Sequence, residues 1–377
     1  MSGFFPDIRA AEGALQQEAF TRWQAMGDLR RREHWRWTPL DALRDDARRS
    51  EGADYQFDLP DAIGEDFGTF TEADRALLAL DDAAFAALNL ALLPDALQLT
   101  VPDGADLDAI AALNIDLLAR RLQTSRIHIR AGKNSRSAFW IDYRASRSGA
   151  QLPVITVNAE DGAQIDIALW FHGDAGTAQV AQAAVQQATD SRVRINALQA
   201  GGDLLRLDIH SELHGEGTHF AFGGVQLLTG KQTGDYHLNV RHLTENSESH
   251  QRVRGALNDA ALGIFDGMIS VAHGAQKTDA RQDSRYILLS DSARSHSVPR
   301  LEIYADDVQC AHGSTTGKVD EEALFYLRSR GIGYEAARKM LILSFLHEAV
   351  VVEHQTLADA VHQTISDIWL GDDEAAA

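Results

Sequence analysis

The stretch Leu204–Leu213, "LLRLDIHSEL", decides the fold. Leu205, Leu207 and Ile209 alternate with Arg206, Asp208 and His210, and a pleated strand sends successive side chains to opposite faces, so the pattern is that of a strand with one buried face. The same period recurs between about Ala96 and Gly317. It is legible in "LQLTV" (97–101), "SRIHIRAG" (125–132), "PVITVNAEDG" (153–162), "YHLNVRHL" (236–243), "GMISVAHG" (267–274), "YILLS" (286–290), "RLEIYADD" (300–307) and "VQCAHG" (308–313), each bounded by Gly, Asp, Asn or Pro. More than twenty short strands are predicted. Helical patterns do not regularly separate them, although "TAQVAQAAVQQA" (177–188) reads as one amphipathic interruption, so a doubly wound βαβ fold is excluded. A sandwich, a barrel and a β-helix remain. Without a large hydrophobic connector, the pattern suits a solenoid in which each rung covers its neighbour, although no strict repeat is legible.

The flanks read differently. Ala14 to Arg36 sets Leu15, Phe20, Trp23, Met26 and Leu29 among charges, with an interruption at Gly27-Asp28 and a stop at Pro39. Acidic, loop-like sequence follows from Asp45 to Asp66, and a second helical patch begins near Thr71 and ends at Pro94. After Gly317, Asp320, Glu321 and Glu322 sit where the positive end of a helix favours acids, and Gly331 supplies the stop. Two further helices are predicted over "GYEAARKMLILSFLHEAVVVEH" and "TLADAVHQTISDIWL", the tail capping the β domain. The surplus apolar face of "MLILSFL" reads first as core and second as a partner-binding groove. Three regions result: helical over 1–95, β over 96–317 and helical over 318–377.

Lys and Arg total 35 against 55 for Asp and Glu, a net charge of −20 that disfavours nucleic acid and anionic membranes. The N-terminus lacks a charged-then-apolar signal pattern, and no apolar run approaches the roughly eighteen residues a membrane span needs, which predicts a cytoplasmic protein. Cys310 is the single cysteine. It excludes an intramolecular disulfide, and a conventional cluster with four thiolates cannot be held by this chain alone. Any such site must be shared with another chain or built from His and carboxylates.

The run "CAHGSTTGKVDEE" (310–322) resembles a phosphate loop, but only three residues separate Gly313 from Gly317 and Val319 follows Lys318. A P-loop needs four residues there and a hydroxyl after the Lys, so nucleotide binding is not predicted. Interest moves to Cys310 and His312, which the strand period puts on one face with Val308. Two readings stand: a buried thiol beside a hydrogen-bonded imidazole, or a ligand pair at a surface that another subunit completes. Residues at i and i+2 are too far apart for thiol–imidazole catalysis. His210, His214, His219, His237 and His242 read as strand or turn residues, since spacings of four and five do not gather ligands in β sequence. Asp291, Asp306 and Asp307 could form the acid pair of a carbohydrate-acting β-helix enzyme, but their contexts are those of solvated turns.

From Arg254 to Val350 the sequence resembles the SufB/SufD family, scaffold proteins of the SUF iron–sulfur cluster assembly machinery. The similarity is carried by "FDGMISV", "AQKTDARQ", "LLSDSA", "LEIYADDVQCAHG", "TTGK" and "LFYLRSRGI", with weaker, ordered similarity upstream in "REHWRWTPL", "FAALNLAL", "GGDLLRLDIHSELHGEG" and "DYHLNVRHL". His312-Gly313 with Cys310 two places earlier follows the SufD-type pattern. The resemblance implies a mainly β protein, a right-handed parallel β-helix flanked by N-terminal and C-terminal α-helical regions, that acts as a scaffold and not as an enzyme. It implies SufB as the partner through the β-helix and the ATPase SufC on the C-terminal helices, with Leu341, Leu343, Phe345 and Leu346 as docking residues. His312 is the implied ligand of a transient iron–sulfur cluster shared with SufB, and Cys310 an auxiliary or structural neighbour. A reduced flavin in the complex and a homodimer of the chain alone are left open.

Overall fold

The computed structural model describes residues 10–43, 50–68, 83–93, 95–117 and 122–371. The helical patch read from Thr71 lies outside the described residues until Ala83. Residues 96–317 form sixteen strands, fewer and longer than the sequence pattern suggested, from β4 (Ala96–Val101) to β19 (Gln309–Gly317). Most are ten residues long. Strands alternate between two parallel sheets, the even-numbered in one and the odd-numbered in the other, so each turn contributes one strand to each sheet. About seven turns make a parallel β-solenoid.

The repeat is set by register. Leu122 pairs with Ala150, 28 residues on, Leu204 with Thr233, 29 on, and Leu262 with Arg294, 32 on. One corner of nearly every turn holds a residue in the left-handed region: Gly104, Asn134, Gly162, Asp190, Gly217, Asn246 and Lys277, with φ between 53° and 70°. Gly, Asn and Asp tolerate this conformation best and occupy six of these seven corners, with Lys277 the exception. Leu, Ile, Val and Phe side chains from the two sheets fill the interior. Buried amides stack along the axis as well, with Gln151 Nε2 donating to Gln123 Oε1 at 2.7 Å and Gln179 Nε2 to Gln151 Oε1 at 2.5 Å.

The segment 177–188 is not a helix. Its Ala and Gln residues form β10 (Thr177–Gln187), almost wholly buried, because Gln179 Nε2 donates to the Tyr143 carbonyl and Gln151 Oε1 of neighbouring turns and the small residues pack under α2 (Ala84–Leu92). The acidic segment read as loop contributes β1 (Ser50–Gly52), β2 (Tyr55–Asp58) and β3 (Gly64–Gly68). β2 and β3 pair antiparallel with β5 (Asp106–Leu117) and β4, closing the first turn.

The helices cover the outer faces of the sheets. α1 (Ala14–Ala25), α2 and the turns around Trp35 pack on the even-numbered sheet through Trp23, Trp35 and Phe85. α3 (Glu321–Ser329), capped by Asp320 accepting from the amides of Glu322 and Ala323, leads into α4 (Tyr334–His347) and α5 (Gln355–Gly371). Ile342 and Leu346 of α4 and Leu357, Val361 and Ile365 of α5 lie on Ala168, Leu198, Val225 and Ala256 of the odd-numbered sheet. The C-terminal helices therefore cap the β domain over one face of the solenoid.

Between α4 and α5 the chain is non-helical, ending the helix predicted through His354 some seven residues early. Sheet side chains take over its backbone bonds. Asn196 Oδ1 accepts from the amides of Val351 (2.9 Å) and Val352 (3.1 Å), and its Nδ2 donates to the carbonyls of Ala349 (2.8 Å) and Gly223 (3.1 Å). Asp166 Oδ2 accepts from the amides of Glu353 and His354, and Arg254 bridges Asp283 and Glu348.

Candidate functional site

The first turn is closed by antiparallel strands, whereas the last presents β18 (Arg294–Ile303) and β19 as the two terminal strands of the sheets. Each pairs on one side only among the described residues, and a terminal parallel strand keeps a row of backbone donors and acceptors for a further strand. In β19 the register sets Cys310 against Ala280, His312 against Gln282, Ser314 against Ser284 and Thr316 against Tyr286 of β17 (Asp279–Leu288). Those four β17 residues are buried, so Cys310, His312, Ser314 and Thr316 continue the inward-facing row. No turn lies beyond them, so most of this inward row is exposed.

The end of the interior is polar. Ser284 Oγ and Ser297 Oγ are 2.6 Å apart, and Ser295 Oγ and Thr316 Oγ1 2.7 Å, linking the sheets across the last turn by hydroxyl pairs. Beneath His312, the buried amide of Gln282 has no hydrogen-bond partner at either end among the described residues. Polar groups of this kind normally find a partner or water, so the last turn is underfilled as a hydrophobic core.

Cys310 and His312 share a row but differ in environment. Cys310 is half-buried against Ile269, Val271, Ala275, Ala280 and Ala305. Burial, reinforced by the Asp279 carboxylate, pushes its thiol pKa up, against a smaller downward pull from the Ala280 backbone. The thiol is therefore protonated at neutral pH, and a metal must displace that proton before sulfur can bind. Asp279 is itself held by a two-bond ion pair with Arg281, at 2.9 and 2.8 Å. His312 is exposed, with no hydrogen-bond partner among the described residues, and its imidazole is free to take a ligand from outside. Among the described residues no third metal-ligating side chain joins these two. One imidazole and one hindered thiol cannot complete a cluster's ligand set, whereas imidazole does serve iron where another chain supplies the rest.

The other sequence candidates fall apart from this row. Leu346 is fully buried at the helix–sheet seam, Leu343 and Phe345 are partly buried there, and Leu341 is half-buried. Apolar exposure instead lies on α3 and along α4, at Phe325, Tyr326, Tyr334 and Met340. His210, His214, His219, His237 and His242 occupy strands or the turn after them, as read. Asp291 is an exposed turn acid facing Lys318, and Asp306 and Asp307 lie exposed in one bend, with Asp307 facing Lys277. Sequence reasoning did not find the open sheet edges, because they depend on which strand comes last in each sheet. It also passed over a grouping of His34, His237 and Asp266 on the opposite face.

A helix-flanked parallel solenoid with an open last turn defines a class of protein. The SUF system FeS cluster assembly SufBD core domain matches residues 115–345, more than half of the chain. The chain belongs to this SufBD family. Among curated relatives, the iron–sulfur cluster assembly protein SufD of Escherichia coli is 34% identical over 161 residues, 43% of this chain and 38% of that protein. SufD of Bacillus subtilis is 36% identical over 158 residues, 42% of this chain and 36% of its own length. The chloroplastic protein ABCI7 of Arabidopsis thaliana is 28% identical over 220 residues, 58% of this chain and 44% of that protein. The matched regions thus span about two fifths of the relatives' lengths. Among the described residues, no helix is long and apolar enough to cross a membrane.

Proposed function

We propose that this chain is a SufD-type scaffold subunit that pairs with SufB through the open last turn and contributes His312 to a nascent iron–sulfur cluster built between the two. The observation that carries the reading is the coincidence of the unextended edges of β18 and β19 with an exposed inward-row histidine at the same end of the solenoid. Backbone pairing across such an edge supplies affinity, and the row of alternate side chains meets the partner's row. His312 lends an imidazole nitrogen to iron while the partner's thiolates and sulfide complete the coordination. Cys310, protonated and half-buried, acts as an auxiliary ligand or a structural residue. The lone chain has the same free edges, which would serve a homodimer when SufB is absent.

SufC docks, on this reading, on the C-terminal helices. Leu346 and the buried sides of Leu343 and Phe345 hold those helices to the sheet, leaving Phe325, Tyr326, Tyr334 and Met340 as the apolar surface for the ATPase. In the same proposal the chain is a cytoplasmic, non-enzymatic member of a complex that would also carry a reduced flavin. The test is anaerobic co-expression with SufB and SufC from the same genome, with iron and sulfide measured in the purified complex. His312→Ala is expected to assemble as wild type does but to lose the cluster; an unchanged cluster would return His312 to an ordinary strand residue.

A further inference from the structure

His34 and two residues of the even-numbered sheet converge at the seam between the N-terminal segment and the solenoid. Donor atoms of His34, His237 and Asp266 all lie within 4.8 Å of one another. His237 is on β14 (Thr233–His242) and Asp266 on β16 (Leu262–Val271), and the register sets Asp208, His237 and Asp266 side by side across three consecutive turns. They face outward, toward the segment containing His34 and Trp35. A small cavity of about 20 Å³ opens among His34, His210, His237, Asp266, Met268 and Arg300, room for one ion or one water.

The surroundings favour a cation. Asp208, next to His237 in the register, and Asp235, 2.9 Å from its Nε2, are both buried, so with Asp266 three carboxylates stand against the guanidinium groups of Arg206 and Arg300. Arg206 is committed elsewhere: it lies 2.8 Å from Asp208 and 3.1 Å from Asp235, donates to the His34 carbonyl at 3.0 Å and stacks 3.7 Å over the Trp35 ring. Arg300 contacts one oxygen of Asp266, Oδ1. Asp235 Oδ1 lies 2.9 Å from His237 Nε2, placing a buried carboxylate behind the imidazole, the usual arrangement for orienting a histidine ligand.

We propose that His34, His237 and Asp266 bind a divalent first-row transition-metal ion that fastens the N-terminal segment to the solenoid. Two imidazoles and one carboxylate are a donor set for such ions, with the remaining positions open to water. Tetrahedral donors on bonds of about 2.0–2.1 Å stand roughly 3.4 Å apart, so side-chain movements of about an ångström close the site. This site is separate from the last turn and does not depend on the cluster-assembly reading.

The test uses the full untagged chain, stripped with a chelator and titrated with Co²⁺, whose visible d–d bands report nitrogen and oxygen ligation, followed by displacement with Zn²⁺. The expected result is one Co²⁺ per chain, displaced by Zn²⁺, with affinity at least about tenfold weaker in His34→Ala and in Asp266→Asn. His312→Ala should bind as wild type does. Circular dichroism of the metal-free variants checks that each is folded, and Asp266→Asn keeps the side-chain shape if His34→Ala does not fold. The proposal is overturned if wild type binds no Co²⁺, if both seam variants bind as wild type does, or if binding is lost with His312→Ala and kept in the seam variants.

Discussion

Replacing Asn196 by Ala should release the C-terminal helical unit from the solenoid while leaving the solenoid folded. The side chain makes four hydrogen bonds, two accepted from Val351 and Val352 and two donated to Ala349 and Gly223. Asn196 and Ala349 are fully buried and Val352 is nearly so. Truncation strands the amides of Val351 and Val352 and takes a donor from the carbonyls of Ala349 and Gly223, and a buried polar group left without its partner costs about 1–3 kcal/mol. Water entering the vacated space recovers part of that, so about 3 kcal/mol is the expected loss, on the order of a hundredfold in the opening equilibrium of residues 349–354. Asn196→Asp keeps both acceptor bonds and loses both donations, and should fall between the two. Hydrogen exchange at the Val351 and Val352 amides reads the opening directly, with the interior strand amides as internal reference. If those two amides exchange at the wild-type rate in Asn196→Ala, the clamp is not what stops α4 and the accounting is wrong.

Two further perturbations test the solenoid itself. Asn246 holds a corner at φ 56°, so Asn246→Val should cost about 1–2 kcal/mol in urea denaturation, while Asn246→Gly stays within about 0.5 kcal/mol; equal effects would mean the corner does not select its residue. His242 is fully buried between Ser247 Oγ (2.7 Å) and Ser249 Oγ (2.8 Å), and burial lowers its pKa from 6.5 to about 4. Between those values the unfolded chain binds the proton that the folded chain refuses, so stability should fall by about 3 kcal/mol as pH drops from 6.5 to 4. His242→Gln should flatten that part of the pH profile, as followed by denaturation midpoints, and an unchanged slope would assign it to other groups.

The alternation in "LLRLDIHSEL" was enough to choose strands, while the lack of connectors only favoured a solenoid over a sandwich or a barrel. Its repeat was harder to see because turns differ in length and the marker residue changes: Gly104, Asn134, Gly162, Asp190, Gly217, Asn246 and Lys277 share a conformation but not an identity. Alignment on backbone need, rather than on residue type, exposes the period. The same period explains why the histidine readings stopped short. Asp208, His237 and Asp266 are 29 residues apart and adjacent in space, a relation invisible when spacings are judged along a single strand. "TAQVAQAAVQQA" misled because Ala and Gln favour helices in isolation, and here buried partners in the neighbouring turns overrule that preference. Cys310 and His312 were legible as a pair on one face. Their unequal exposure was not, since it comes from the stack ending at their strand.

That ending has an energetic consequence. In a stack stabilised by nearest neighbours, an inner rung is gripped from two sides and a terminal one from one, so β18 and β19 melt most easily. A protein strand added at this end would convert a terminal rung into an inner one, and the free energy of that conversion would enter the binding constant. Loss of such a strand would return Cys310 and His312 to the softest part of the molecule, where anything they had helped to hold is most readily let go.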